Sequence, residues 1–209
     1  MQVGNWVLDP GKYLAKEDAI TLLACARRNA ERAGSPEQKV AVRDYFIVHL
    51  GLTTGLRVME MAALHCGDVF LREGVSSVLV RSGKGKKKRM VFFGEGFRKH
   101  CEDYLGWKQR VGESVESEQP LLRSSATGSH LSTRALQKAF KRCAKRAGIS
   151  ASYSIHCLRH TYACFLLKAS GWNLRLVQKQ LGHSRLSTTQ VYADVMMPDI
   201  EKAVNALYQ

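Results

Sequence analysis

Apolar residues recur every three or four positions over 16–33, with Ile20, Leu22, Leu23 and Ala26 carrying the pattern, and this predicts an amphipathic helix. Glu17 and Asp18 fall in its first turn, where carboxylates favour the positive end of the helix dipole. GSPEQ breaks the pattern, and a second helix is expected over about 37–50. In TTGLRVMEMAALHCGDV, Gly55 closes one segment and residues 57–64 form a short helix. Three β-like runs follow, DVFLRE, SSVLVR and RMVFF, and the Gly- and Lys-rich SGKGKKK between the last two predicts a hairpin tip.

Helical spacing then returns over 97–110 and over 132–147, with Ser132 as N-cap and Gly148 as stop. Further helices are expected over 154–170, stopped by Gly171, over 173–181, stopped by Gly182, around 188–196, and over 198–208. No internal repeat and no long biased linker divides the chain. The expected fold class is α+β, mainly α: one helical domain over residues 1–209 with a small three-stranded antiparallel sheet.

A chain of 209 residues can bury most of its apolar surface without disulfides. The six cysteines, at positions 25, 66, 101, 143, 157 and 164, form no CxxC pair and read as reduced residues in a cytosolic protein, most of them buried filler. No charged leader precedes an apolar core at the N-terminus, and no run approaches the length of a membrane span, so a cytoplasmic location without a membrane partner is expected.

Charge changes the picture more. Lys and Arg number 32 against 18 Asp and Glu, giving a formal net charge of +14, which favours an acidic partner, nucleic acid first. SGKGKKKRMVFF, ARRNAER and KAFKRCAKRAG concentrate that charge, while GESVESEQP alone is locally acidic.

SIHCLRHTYA, residues 154–163, is the densest candidate for chemistry. With Ser154 as N-cap, His156 and Arg159 lie three apart on neighbouring positions of one helix face. Arg offers a planar fork for two phosphate oxygens, and an imidazole donates to a third or exchanges a proton with it. His156 and His160 have the i, i+4 spacing of zinc hydrolases, but CLR between them lacks the glutamate base, and His160 reads as a helix-interior histidine with a satisfied hydrogen bond. Farther on, His183 and Tyr192 would point to opposite faces of one continuous helix. Gly182 breaks that helix, and a turn lets both side chains converge.

GLRVMEM with Arg57, SGKGKKKR with Lys84, HCLRHTYA with His156 and Arg159, LGHS with His183, and STTQVYADV with Tyr192 occur in series. Together and in this order they resemble the catalytic domain of the tyrosine recombinases, the phage integrase family. The resemblance covers nearly everything from about Tyr13 onward, with no departure at the six positions that carry the family's chemistry.

The resemblance implies the integrase catalytic fold and site-specific DNA recombination by metal-free transesterification. Tyr192 would attack the scissile phosphorus, leaving a 3′-phosphotyrosyl link and a free 5′-hydroxyl. Arg57 and Arg159 would meet the charge on the phosphoryl oxygens, and His183 would donate a further hydrogen bond. His156 would assist removal of the tyrosine's proton, and Lys84 would protonate the leaving oxygen, with Lys86, Lys87, Lys88 and Arg89 as alternatives whose plain role is contact with backbone phosphates or solvent. Glu60 would pair with Arg57 as a structural partner.

No cofactor is implied. Double-stranded DNA is the implied partner, with a monomer off DNA, a dimer per site, a tetramer in the synapse, and an accessory DNA-bending protein as a further partner. The helix after Pro198 would dock on a neighbour. The separate helical clamp domain that usually precedes the catalytic one in this family has no counterpart in the sequence, so the chain is expected to be either a fragment of a longer recombinase or a single-domain form that grips DNA from one side or borrows a partner, with a core-binding domain among its expected partners. A type IB topoisomerase-like enzyme and a non-catalytic DNA-binding regulator stay open as alternatives.

Overall fold

The computed structural model describes residues 12–32, 35–81, 88–183, 189, 190 and 192. Its central element is the second helix. α1 (Lys16–Arg32) packs on α2 (Ser35–Thr54), and α2 also touches α4, α5, α6 and the last strand. Three consecutive residues of α2, Phe46, Ile47 and Val48, are fully buried, so this helix meets protein around most of its circumference. It outruns its expected end because the Thr53 and Thr54 hydroxyls bond the His49 and Leu50 carbonyls, at 2.7 and 2.5 Å, and keep the last turn helical.

α3 (Val58–Ala62) is shorter than expected and leads through a 3-10 turn (Cys66–Asp68) into a sheet of three strands, β1 (Val69–Phe70), β2 (Ser76–Val80) and β3 (Arg89–Phe93). All pairing is antiparallel in the order β1-β2-β3, with Val69 opposite Val78 and Val80 opposite Arg89. Only two residues of DVFLRE join the sheet. α4 (Glu95–Arg110), α5 (Thr133–Arg146), α6 (His156–Ala169) and α7 (Leu174–Leu181) complete the described elements. The fold is therefore α+β and mainly helical, as its sequence pattern predicts.

Ser132 caps α5 by accepting from the Ala135 amide at 3.2 Å, and Asn173 caps α7 by accepting from Leu176 at 3.0 Å. Ser154 departs from expectation. Ile155 occupies the N-cap position of α6, and the chain enters the helix through a tight turn in which the Cys157 amide donates to the Ser154 carbonyl at 2.9 Å. The Ser154 carbonyl, not its hydroxyl, meets the helix start.

The acidic stretch after α4 is not a solvated loop throughout. Glu113 is buried between Arg43 and the fully buried Lys108, whose ammonium donates to Glu113 at 2.9 Å and to the Pro120 carbonyl at 3.1 Å. This ties residues 111–122 to α2 and α4, and Leu121 and Leu122 enter the core there. Five of the six cysteines are buried, all are free thiols, and Cys25 is half-buried.

A second, smaller apolar cluster joins Tyr162, Ala163, Cys164 and Leu167 of α6 to Val177 and Leu181 of α7 and to Tyr192. Among the described residues no helix is long and apolar enough to cross a membrane. The expected hairpin tip at 82–87, the helix over 198–208 and most of the one around 188–196 lie outside the described residues.

Candidate active site

Five segments converge where α2 ends, α3 and α6 begin, β3 starts and α7 stops. Glu60 organises the first part. It sits at the third position of α3, where a carboxylate reaches back to the helix entry, and it accepts the Arg57 amide at 2.8 Å and the Arg57 guanidinium at 3.0 Å. Arg89 forks onto the same carboxylate at 2.8 and 2.9 Å. Burial alone would raise the Glu60 pKa, but hydrogen bonds from Arg89 and Arg57 and their charges hold it down at about 2.

Arg89 thus does not face phosphate or solvent as one sequence reading of it held. It is clamped, and its Nε also donates to the Gln180 carbonyl at 3.3 Å. Its position was legible in one respect: alternation along β3 puts Arg89 on the same face as buried Val91.

Arg159 forms the second part. Its guanidinium donates to the Gly55 carbonyl at 2.6 Å, the Leu181 carbonyl at 2.8 Å and His183 Nε2 at 3.0 Å. Burial and then the nearby Arg57 charge lower its pKa to about 10, so it keeps its charge at neutral pH. Its Nε–H and second Nη1–H have no hydrogen-bond partner among the described residues. Gly55 presents its carbonyl by adopting φ +60°, and a Cβ there would lie 2.3 Å from Tyr162 Cδ1.

A guanidinium only donates, so His183 Nε2 accepts, its proton sits on Nδ1, and Nδ1 donates to Thr189 Oγ1 at 3.0 Å. Burial, then Arg159 and Arg57, push His183 down to about 3. Gly182 supplies the turn at φ +66°, and His183 stacks on Tyr192 with ring centroids 6.4 Å apart and planes 5° apart. The sequence expectation that a turn at Gly182 brings these two together matches this geometry.

Tyr192 is 4% exposed, and burial raises its phenol to about 12. Its hydroxyl lies 3.1 Å from His160 Nδ1. His160 therefore does have a satisfied hydrogen bond, and its partner is the candidate nucleophile. The signal was present in the sequence, since His160 shares a helix face with Ala163, Cys164 and Leu167, the face that receives the Tyr192 ring. His156 opens α6 and is exposed; among the described residues it makes no hydrogen bond to Tyr192. Arg57, Arg159, His183 and Tyr192 are brought together, His156 lies at the rim, and Lys84 falls outside the described residues. No group of three or more His, Cys, Asp or Glu side chains able to hold a metal ion gathers among the described residues.

A helical domain with a three-stranded sheet and this site has the architecture of a tyrosine recombinase catalytic domain. The chain belongs to the phage integrase family, whose pattern matches residues 12–198. It is similar to tyrosine recombinase XerC of Thermodesulfovibrio yellowstonii, 33% identical over 186 residues that cover 88% of this chain and 58% of that protein. It is also similar to XerC of Proteus mirabilis, 36% identical over 169 residues, 81% of this chain and 53% of that protein. The chain thus spans little more than half the length of these relatives. Among solved structures it resembles the XerH site-specific recombinase bound to palindromic difH substrate in a post-cleavage complex, with TM-score 0.75, 28% identity, and coverage of 94% of this chain and 53% of that one.

Proposed function

We propose that this chain is the catalytic unit of a cytoplasmic site-specific DNA recombinase, cutting and rejoining strands through a 3′-phosphotyrosyl intermediate. The observation that carries the reading is convergence. Residues near positions 57, 159, 183 and 192 meet in one site that offers two guanidinium groups, an imidazole and a phenol, the set a phosphodiester transesterification requires.

Arg57 and the free donors of Arg159 bind the non-bridging oxygens and oppose the charge that builds on them. Tyr192 attacks phosphorus and Lys84 protonates the departing 5′-oxygen. His156 stands at the rim, exposed to an arriving backbone, where it contacts phosphate or handles a proton. His183 becomes a donor when phosphate takes over Arg159 and the ring proton moves from Nδ1 to Nε2, with the Thr189 hydroxyl turning to donate to the vacated Nδ1. With two fixed guanidinium forks at the phosphate, the reaction needs no cofactor. The acting form is assembled on duplex DNA, a dimer at each site and a tetramer in the synapse, from a chain that is monomeric off DNA.

The test incubates the protein with a pool of nicked, partly randomised duplexes that trap the cleaved strand, then seeks protein-linked DNA on a denaturing gel. Wild type forms the adduct, and Tyr192→Phe binds the pool without forming it. An adduct from the phenylalanine variant overturns the assignment. Binding without any adduct from wild type favours a non-catalytic regulator, and a topoisomer ladder from plasmid favours a topoisomerase.

A further inference from the structure

We infer that His160 accepts the proton of Tyr192 during strand cleavage and returns it during joining, a role that rests on the recombinase reading and refines it. Neither neighbouring imidazole bonds the phenol among the described residues. His183 uses Nε2 to accept from Arg159 and Nδ1 to donate to Thr189, so neither nitrogen is free for the phenol. His156 is exposed one turn earlier on α6 and makes no hydrogen bond to Tyr192 among the described residues. His160 Nδ1 lies 3.1 Å from the Tyr192 oxygen, within the reach a general base needs.

The direction of that hydrogen bond follows from burial. Were His160 the donor, the phenolic proton would be left without an acceptor in a nearly closed site, an arrangement that costs free energy. With the tyrosine donating, Nδ1 keeps its lone pair toward the reacting oxygen and the ring proton sits on Nε2. Burial, then Arg159, His156 and Lys12, lower His160 to about 4, so it is neutral and able to accept at physiological pH. A scissile phosphate seated against Arg159 offsets part of that positive charge and raises the basicity of His160 when substrate is in place.

The balance closes. In cleavage the Tyr192 oxygen forms its bond to phosphorus, the bond from phosphorus to the 5′-oxygen breaks, the phenolic proton passes to His160 Nδ1, and Lys84 supplies a proton to the 5′-oxygen. Joining reverses each transfer.

His160→Asn places an amide oxygen near the Nδ1 position, so it holds the tyrosine hydroxyl but cannot carry its proton. Adduct formation on the nicked duplex pool is measured under single turnover across pH, with wild type, His160→Asn, His160→Gln, His156→Asn and Tyr192→Phe. Expected are unchanged DNA binding and unfolding temperature, a loss of about 10²–10⁴-fold for His160→Asn at pH 7, and recovery of its rate as pH rises. A smaller loss is expected for His156→Asn. Replacing tyrosine with the more acidic 3-fluorotyrosine throughout narrows the gap between His160→Asn and wild type.

Should both position-160 variants be less stable, the fluorotyrosine comparison still decides, because a folding defect does not shrink when the phenol is acidified. A wild-type rate and profile in His160→Asn, or a loss that fluorotyrosine leaves unchanged, overturns the inference. If instead wild type yields no adduct, or Tyr192→Phe yields as much, the recombinase reading itself fails and takes this role with it.

Discussion

At the scale of single residues the site is governed by one carboxylate. Glu60 pairs with two of the three guanidinium groups gathered there, and its side chain is 4% exposed, so removing its charge leaves Arg57 and Arg89 repelling each other with no anion between them. Breaking such a pair costs roughly 3–5 kcal/mol. Glu60→Gln is expected to lose stability of that order at neutral pH, read as a lower denaturation midpoint, and to slow adduct formation because Arg57 loses the partner that fixes its fork. The pH dependence carries a sign that can be checked. The folded pKa lies below the unfolded value near 4.5, so this stabilisation is present above that value and drains away as pH falls toward 2. Wild type should weaken through that window more steeply than Glu60→Gln; equal slopes would mean that other groups govern acid unfolding.

At the scale of elements, the junction of α2, α3, α6 and α7 holds the site through backbone carbonyls as well as side-chain pairs. Gly55 and Leu181 give their carbonyls to Arg159, and Gln180 gives its own to Arg89. This explains what could be read from the sequence and what could not. Helix periodicity, the Ser132 cap and the glycine stops are local signals, and they located the described helices and strands to within a few residues. The breaks at Gly55 and Gly182 even signalled that distant motifs meet. Which atoms meet is a matter of packing between elements with no local signature, so from sequence Arg89 reads as an alternative proton donor or a cation on phosphate or solvent, and the partner of His160 has no local signal that names it. Gly55→Ala tests the junction. An L-residue at φ +60° costs about 1–2 kcal/mol, and a Cβ 2.3 Å from Tyr162 adds overpacking of about 1–3 kcal/mol. The variant should unfold at markedly lower denaturant and cleave more slowly even where fully folded, since the Arg159 anchor moves with the turn. Wild-type cleavage by folded Gly55→Ala would show that Arg159 does not depend on that carbonyl.

At the scale of the whole molecule, the positive charge has an address. Arg134, Lys138, Lys141, Arg142 and Lys145 of α5 line an open groove. Two of these are anchored, Arg142 on Asp44 at 2.6 and 2.7 Å and Lys141 on the carbonyls of Ala151 and Tyr153 at 2.5 and 2.7 Å. The Lys141 contacts bind α5 to the segment that leads into α6. Lys138 and Lys145 are exposed on it, where each can meet a backbone phosphate. Each phosphate contact contributes about 0.9 to the slope of log affinity against log salt. Lys138→Glu with Lys145→Glu should therefore flatten that slope by about 2 for any duplex, whatever its sequence, and weaken binding most at low salt. Lys99→Glu, an equal change per residue at an exposed position of α4, serves as the comparison. If it lowers the slope as much per charge, affinity follows net charge alone; if only the α5 pair responds, the duplex lies along this groove and reaches Arg57, Arg159 and Tyr192 from that side.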